Sequence, residues 1–485
     1  MPIKFGTDGW RAVISDEFTF ANVRLVAQAI ADYVLRPPSD ASQQGPRDTT
    51  VAIGFDTRFL SDRYAMEVAR VMADRGVTVY LSKSDCPTPA LAYAIRHLRT
   101  AGGVMITASH NPPRYNGIKF KGPHTGPGLP EETQVIEEFL ARNHTDGIVP
   151  EDRSWALSNL PQEYPGIIRF DPMPAYLDHL RTLVDLDALK HCGLKVAVDP
   201  MYGAGRGYIA TFLREAGCEV TQIHGELNPG FGGIHPEPIE RNLKDLLTTM
   251  RNGGYDLGLA TDGDADRIGA ADAQGCFVDP HRIFSLILRH LVQERKWRGS
   301  VVKSVSTTQL LNRLSDRYNL PLRETPVGFN YICAWFLNDP VGVLMGGEES
   351  GGMTIRGHVL DGDGILMGLL LAEMMAYQRQ SLHKTIDGLM QEFGVFHYGR
   401  NDVHTRAFDK KELTQRLTRE APVSILSHRV LRVNNNDGVK YLLDDDSWLL
   451  IRPSGTEPVL RIYAEARTAA EVPQLLAAGA GLAKI

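Results

Sequence analysis

Three aspartates at alternate positions, Asp262, Asp264 and Asp266, stand in the run T-D-G-D-A-D-R directly after an apolar stretch at residues 256–260. Carboxylates this close repel one another unless a cation sits among them. An all-oxygen donor set suits a hard divalent ion. In an extended segment alternate residues share one face, which predicts that the three converge; a merely solvated acidic turn is the plainer alternative. An EF-hand loop counted from Asp262 fails, because its sixth position is Arg267 rather than Gly and its twelfth Ala273 rather than Glu. A second run, G-G-V-M-I-T-A-S-H-N-P, carries an apolar strand out into Ser109 and His110, and Lys119 and Lys121 follow closely in Y-N-G-I-K-F-K. Strand ends in α/β sheets are where ligands bind, and cations beside a hydroxyl are what a phosphoryl site needs. The serine lacks the glycines of a G-x-S-x-G elbow, which argues against a hydrolase; the plainer alternative is an ordinary Ser-His-Asn-Pro turn.

Two more runs carry ligand-binding chemistry. M-G-G-E-E-S-G-G, residues 345–352, offers Glu348 as an ionised acceptor and Ser350 as a hydroxyl, a pair suited to neighbouring sugar hydroxyls. R-P-S-G-T-E-P combines Arg452, Ser454, Gly455 and Thr456, with Arg461 nearby, as the fork, hydroxyls and amide of a phosphate cradle. Each is also readable as a polar turn. By contrast G-A-G-R-G at 203–207 lacks G-x-G-x-x-G spacing, so a dinucleotide site is not expected.

These residues need elements to hold them. Apolar positions Val23, Val26, Ala27, Ile30, Ala31 and Val34 recur at helical spacing, followed by a short strand at 51–55, a helix from Ser61, and strands at 77–81 and 104–107. The polar, Pro-rich run 36–47 reads as an exposed loop. After a Pro-rich stretch at 150–174 the alternation restarts, with strands at 194–199, 220–223 and 256–260 and a helix after Gly207. A third unit opens near Asp279, with strands at 301–302 and 343–345 and helices from Arg282, Thr308 and Gly364. Past Gly394 short strands alternate with charged helices. The pattern predicts three α/β domains with mixed sheets, 1–165, 166–276 and 277–392, and a C-terminal α+β domain, 393–485.

Composition agrees with several independent cores: 485 residues, 43% hydrophobic and 23% charged. The formal net charge of -6 means that an anionic substrate must be drawn by local cations rather than by the overall field, and it offers nothing to nucleic acid. Five scattered cysteines without C-x-x-C spacing point to neither disulfides nor zinc and fit a reducing cytoplasm. The apolar run 365–375 is interrupted by Glu373 and too short to span a bilayer, and the N-terminus lacks an apolar signal core, so no membrane association is expected.

In this order, the four runs resemble the α-D-phosphohexomutase family of phosphoglucomutase, phosphomannomutase and phosphoglucosamine mutase. The opening F-G-T-D-G-W-R, ending at Arg11, is similar to that family's N-terminal signature. The resemblance covers essentially the whole chain, one motif per domain, and implies four domains around a central cleft, the last like the TATA-binding-protein fold. It implies that Ser109 is the phosphorylated residue and that Asp262, Asp264 and Asp266 hold magnesium together with a phosphoserine oxygen. Arg11, Lys119 and Arg267 would surround the transferring group, His110 beside the serine would bind substrate, and His358 or Lys119 would be the general acid/base. Glu348 and Ser350 would grip the sugar, and Arg452, Ser454, Gly455, Thr456 and Arg461 the phosphate that is not reacting.

The tetrad Gly347-Glu348-Glu349-Ser350 looks like the glucose-type members, which implies interconversion of glucose 1- and 6-phosphates with glucose 1,6-bisphosphate as activator. A phosphomannomutase, a dual-specificity mutase and a phosphosugar-binding protein without turnover are the alternatives, and the chain as monomer or dimer stays open. Two positions depart from the family. Asn330 stands where G-F-K has lysine, and Gly362 precedes Asp363-Gly364 where lysine is common; Lys303 is an alternative source of the missing charge.

Overall fold

A computed structural model describes residues 3–5, 9–36, 49–147, 150–151, 163–405, 408–454 and 459–484. Gly455, Thr456 and all but Arg36 of the 36–47 run lie outside the described residues. The predicted helices are present as Phe20–Leu35, Ser61–Asp74, Tyr208–Glu215, Pro280–Gln293, Leu310–Tyr318 and Gly364–Gln378. The helices Thr88–Leu98, Pro130–Thr145, Met173–Leu183, Lys244–Gly253, Phe329–Asn338 and Leu382–Phe393 were not read from the sequence.

Each of the first three domains is built on a mixed sheet, and their topologies correspond. In the first, Gly103–Ile106 lies between the parallel Thr50–Phe55 and the antiparallel Tyr115–Lys121. In the second, Leu257–Thr261 lies between the parallel Lys195–Asp199 and the antiparallel Ile268–Asp272. In the third, Val343–Gly347 lies between the parallel Ser300–Ser304 and the antiparallel Met353–Ile355. The loop after that middle strand carries Ser109 in the first domain, the three aspartates in the second and Glu348 in the third. The candidate site residues thus stand at the same carboxyl edge three times, where a parallel sheet turns antiparallel.

The first sheet ends on Ile167–Phe170, which pairs with Thr78–Ser82, so it runs past the boundary at 165 expected from the sequence. The second and third domains share one apolar core. At its centre is Gly364–Gln378, whose sequence GILMGLLLAEMMAYQ is apolar on all sides because it is covered on all sides. Its one carboxylate, Glu373, is fully buried and accepts from His290 Nε2 at 2.7 Å, Arg295 Nη1 at 2.9 Å and the Asp185 amide at 2.6 Å. Among the described residues no helix is long and apolar enough to cross a membrane.

The C-terminal domain is an antiparallel sheet of six strands, backed by Lys410–Arg419 and Glu471–Ala483. It meets the third domain through an apolar patch of Val305, Trp448, Leu450 and Tyr463. Glu465 bridges the seam, accepting from the Gln309 amide and Trp448 Nε1, both at 2.8 Å.

Candidate active site

Ser109 leaves its strand in a left-handed conformation, φ 51°. A non-glycine residue pays for that geometry, so something must hold it. The holder is Arg58, just past the strand Thr50–Phe55. Its Nη2 donates to the carbonyls of Ser109 and Asn111, both at 2.6 Å, and its Nη1 to those of Pro112 at 2.9 Å and Tyr115 at 3.0 Å. Nε donates to Asp56 Oδ2 at 3.0 Å, so all five guanidinium donors are used. Asp56 in turn accepts from the Thr107 hydroxyl at 2.6 Å, and Thr107 Oγ1 accepts from the Ser109 amide at 2.8 Å. Burial pushes the Asp56 carboxyl up and the Arg58 guanidinium down, each toward neutrality, and their mutual contact opposes both shifts. Sequence reading missed this frame. Its signal was the Asp-x-Arg step in G-F-D-T-R at the end of a buried strand.

The Ser109 hydroxyl donates to Asp262 Oδ2 at 2.9 Å, across the seam between the first two domains. Asp262, Asp264 and Asp266 do converge, each offering an oxygen within 4.8 Å of the others. The reason differs from the extended segment expected. The chain turns at 262–265, the Ala265 amide donating to the Asp262 carbonyl at 3.1 Å, with Ala265 itself left-handed at φ 58°. Thr88, at the start of its helix in the first domain, holds the loop by donating its amide to the Asp264 carbonyl at 2.9 Å and its hydroxyl to Oδ2 at 2.6 Å.

Electrostatics show what the cluster lacks. Burial, then the charges of Asp266 and Asp264, push the Asp262 carboxyl well above the usual carboxylate range. Burial raises Asp264 too, but Lys119 and the Thr88 hydroxyl outweigh it and hold that group low. Lys119 Nζ lies 3.1 Å from Asp264 Oδ2 and 3.2 Å from Asp266 Oδ2. Lys119 meets two of the three carboxylates and Arg267 Nε stands 3.8 Å from Asp266 Oδ1, yet the Oδ1 atoms of Asp264 and Asp266 are buried without a hydrogen-bond partner. A divalent cation with oxygen ligands fits this donor set.

Other expected residues gather around it. Arg11 Nη1 donates to Asn111 Oδ1 at 2.7 Å. Arg267 stays charged despite burial, because Asp266, Asp262, Glu237 and Glu348 all favour the cation, which also brings the third domain's Glu348 into electrostatic reach. His110 is held neutral, its pKa driven well down by burial and by Arg267 and Arg11. Glu348 Oε1 accepts from the Gly328 amide at 2.8 Å, and Ser350, two residues on in the same loop, is half-buried. Glu349 spends Oε2 on the Ser304 hydroxyl at 2.9 Å.

His358 is fully buried, with Nε2 2.6 Å from Asp363 Oδ2 and Nδ1 3.0 Å from His179 Nε2. Asp363 caps the Gly364–Gln378 helix and also accepts from the Tyr176 hydroxyl at 2.6 Å. Gly362 is explained by contact: a Cβ there would lie 2.7 Å from the Asp266 carbonyl oxygen, so a side chain would displace the aspartate loop. Asn330 is buried beside Gly328, its Oδ1 without a partner. Lys303 does not stand in for it: its Nζ donates to the carbonyls of Thr307 at 3.1 Å and Thr308 at 2.8 Å, and burial pushes it down to about 7. In the C-terminal domain Arg452 and Arg461 sit directly opposite on paired strands, like charges that an anion between them would reconcile. Ser454 is buried at the end of the Arg452 strand.

Family models described as phosphoglucomutase/phosphomannomutase alpha/beta/alpha domains I, II and III match residues 2–146, 174–275 and 279–393, and the C-terminal domain model matches 412–481. A phosphoglucomutase/phosphomannomutase of Thermococcus kodakarensis is 30% identical over 98% of this chain and 97% of its own. The chain belongs to the phosphoglucomutase/phosphomannomutase family. It is a phosphohexomutase, an isomerase-class phosphotransferase. A phosphoglucosamine mutase of Desulforamulus reducens is 32% identical over 97% of both chains. A crystal structure of a putative phosphomannomutase from Thermus thermophilus is 35% identical and superposes with a TM-score of 0.82 over the whole of each chain. Relatives of this phosphohexomutase thus carry three different sugar names.

Proposed function

We propose that this phosphohexomutase interconverts glucose 1-phosphate and glucose 6-phosphate through a phosphoserine at Ser109. The observation that carries the reading is the Ser109 hydroxyl, held on a rigid frame, 2.9 Å from one of three converging carboxylates. Asp262, Asp264 and Asp266, with an oxygen on Ser109, are the residues that would hold magnesium, which when bound neutralises phosphoryl oxygens. Arg11 and Arg267 add fixed positive charge around the same oxygens. In one half-reaction the Oγ–phosphorus bond breaks and a bond from phosphorus to the free sugar hydroxyl oxygen forms, while the hydroxyl's proton ends on Oγ. The bisphosphate turns over and its other phosphate returns to Ser109.

For the proton relay we choose Lys119 over His358. Lys119 sits among the carboxylates beside the serine, whereas His358 has both ring nitrogens committed to His179 and Asp363. Glu348 and Ser350 grip the sugar. Arg452, Ser454 and Arg461, with Gly455 and Thr456, hold the distal phosphate, and they recognise phosphate alone because either end of the sugar must be accepted. Glucose is preferred on the Glu348-Glu349-Ser350 sequence; the names of the relatives keep mannose and glucosamine 1-phosphates as the competing readings.

Two measurements test this. Incubation with glucose 1,6-bisphosphate should add one phosphoryl group to the intact mass of wild type and none to Ser109→Ala. Side-by-side assays of glucose, mannose and glucosamine 1-phosphates should give the highest kcat/KM for glucose. An unchanged mass defeats the phosphoserine, and a higher kcat/KM for either other sugar defeats the glucose assignment.

A further inference from the structure

The sugar-gripping loop and the phosphate cradle belong to different domains, yet one carboxylate touches both. Asp437 Oδ2 accepts from the Val327 amide at 2.9 Å and from Arg452 Nε at 2.7 Å. The next amide along, Gly328, donates to Glu348 Oε1 at 2.8 Å. A short hydrogen-bonded path therefore runs from Glu348 through Gly328 and Val327 to Asp437 and on to Arg452. Each end is one of the charges assigned above to a different part of the substrate.

The surroundings keep that path rigid. Asp437 ends the turn that enters Val439–Leu443, and Gly438 follows at φ 76°, where a Cβ would lie 2.8 Å from Arg452 Cα. The turn can therefore lie flat on the Arg452 strand only with glycine there. Val327 packs against the apolar patch of Trp448, Leu450 and Tyr463 that joins the domains. The Asp437 carboxylate thus ties Arg452 down at Nε. Arg461, directly opposite on the neighbouring strand, contributes the second charge.

We propose that Asp437 is a positioning residue that fixes the spacing between the sugar site at Glu348 and the distal-phosphate site at Arg452, and so retains the bisphosphate intermediate in the cleft while it reorients. The inference rests on the phosphoserine reading above. During reorientation the phosphate bound to Ser109 has left the serine, so the intermediate is held only by non-covalent contacts. If the cradle is free to wander relative to the sugar loop, a bisphosphate engaged at one end loses the other and escapes.

The test is Asp437→Ala, with Asp437→Asn as the milder variant that keeps an acceptor oxygen but not the charge. The readout is the fraction of bisphosphate released per turnover, followed from protein labelled with 32P at Ser109 and mixed with unlabelled glucose 1-phosphate. We expect release and KM each to rise about tenfold or more in Asp437→Ala, the loss of contacts to a charged group, while the variant is still phosphorylated at Ser109 by glucose 1,6-bisphosphate. Added bisphosphate should restore its steady-state rate. Asp437→Asn should change both quantities in the same direction by less, and it carries the test alone if the alanine variant does not fold. Wild-type release in a folded variant overturns the proposal, as does a fall in thermal stability with release unchanged. Failure of the underlying reading looks different, because wild type itself would then take up no label.

Discussion

Arg58→Lys isolates the frame that presents the serine. The substitution keeps the charge and the stem but replaces five donors in a rigid fork by three on one atom. Arg58 serves five acceptors, namely Asp56 Oδ2 and the carbonyls of Ser109, Asn111, Pro112 and Tyr115, so at least two must go without a partner. Arg58 is only 2% exposed, so water cannot replace the lost donors. At about 1–3 kcal/mol for each orphaned buried acceptor the loss is about 2–6 kcal/mol. For a domain of this size that is a fall of roughly 5–20 °C in its unfolding temperature.

Activity should fall further than stability alone explains. A misplacement of ~1 Å at a reacting atom costs on the order of a hundredfold, and the Ser109 carbonyl is one of the groups released. Because the residues proposed to hold the sugar and the distal phosphate lie in other domains, kcat should carry the loss and KM should change little. Thermal unfolding and steady-state kinetics at a temperature where both proteins are folded give the two numbers. An unfolding temperature within about 2 °C of wild type together with kcat within about threefold would refute the reasoning.

Exhaustive chelation should abolish turnover, and magnesium should restore it while raising the unfolding temperature; Asp264→Asn should lose most of that rise, and full activity after chelation would remove the metal from the account. Asn330→Lys should raise kcat/KM for glucose 1-phosphate by one to two decades if the added charge is felt only in the transition state, at about 1.5–3 kcal/mol; no gain would show that the buried amide is not a lost cation. His179 is pushed down to about 3 by burial and then by His358 and Arg96, below an ordinary value of 6.5. A neutral folded histidine that charges on unfolding contributes stability that is complete above pH 6.5 and lost as pH falls toward 3. The unfolding temperature of wild type minus that of His179→Asn should therefore shrink between pH 7 and 4.5, and a constant difference would contradict the assignment.

The sequence by itself determined the family and roughly where the sheets lie, and it singled out the candidate site residues. Alternation of apolar strands and amphipathic helices is a local signal, so Thr50–Phe55, Leu257–Thr261 and Val343–Gly347 were legible, as were the polar runs that follow strands. Charge crowding is also local, and Asp262, Asp264 and Asp266 could be read as a candidate cation site without any knowledge of their shape. Their route to convergence was not legible, because the turn at 262–265 is set by Thr88 from another domain. Arg58, Thr88 and Asp437 were missed because a deciding partner of each is remote in sequence: Ser109 for Arg58, Asp264 for Thr88 and Val327 for Asp437, with only the Asp-x-Arg step as a local signal. Our preference for Lys119 over His358 likewise rests on coordinates. Residue type allows either to move a proton, and only burial and neighbours set one among the carboxylates and tie the other to His179 and Asp363. Gly362 makes the point at its smallest scale. In sequence it is a missing lysine, whereas in the fold it is the space that the Asp266 carbonyl occupies. Tertiary structure decided these matters because hydrogen bonding and steric exclusion depend on distances of a few ångströms between segments that are remote along the chain.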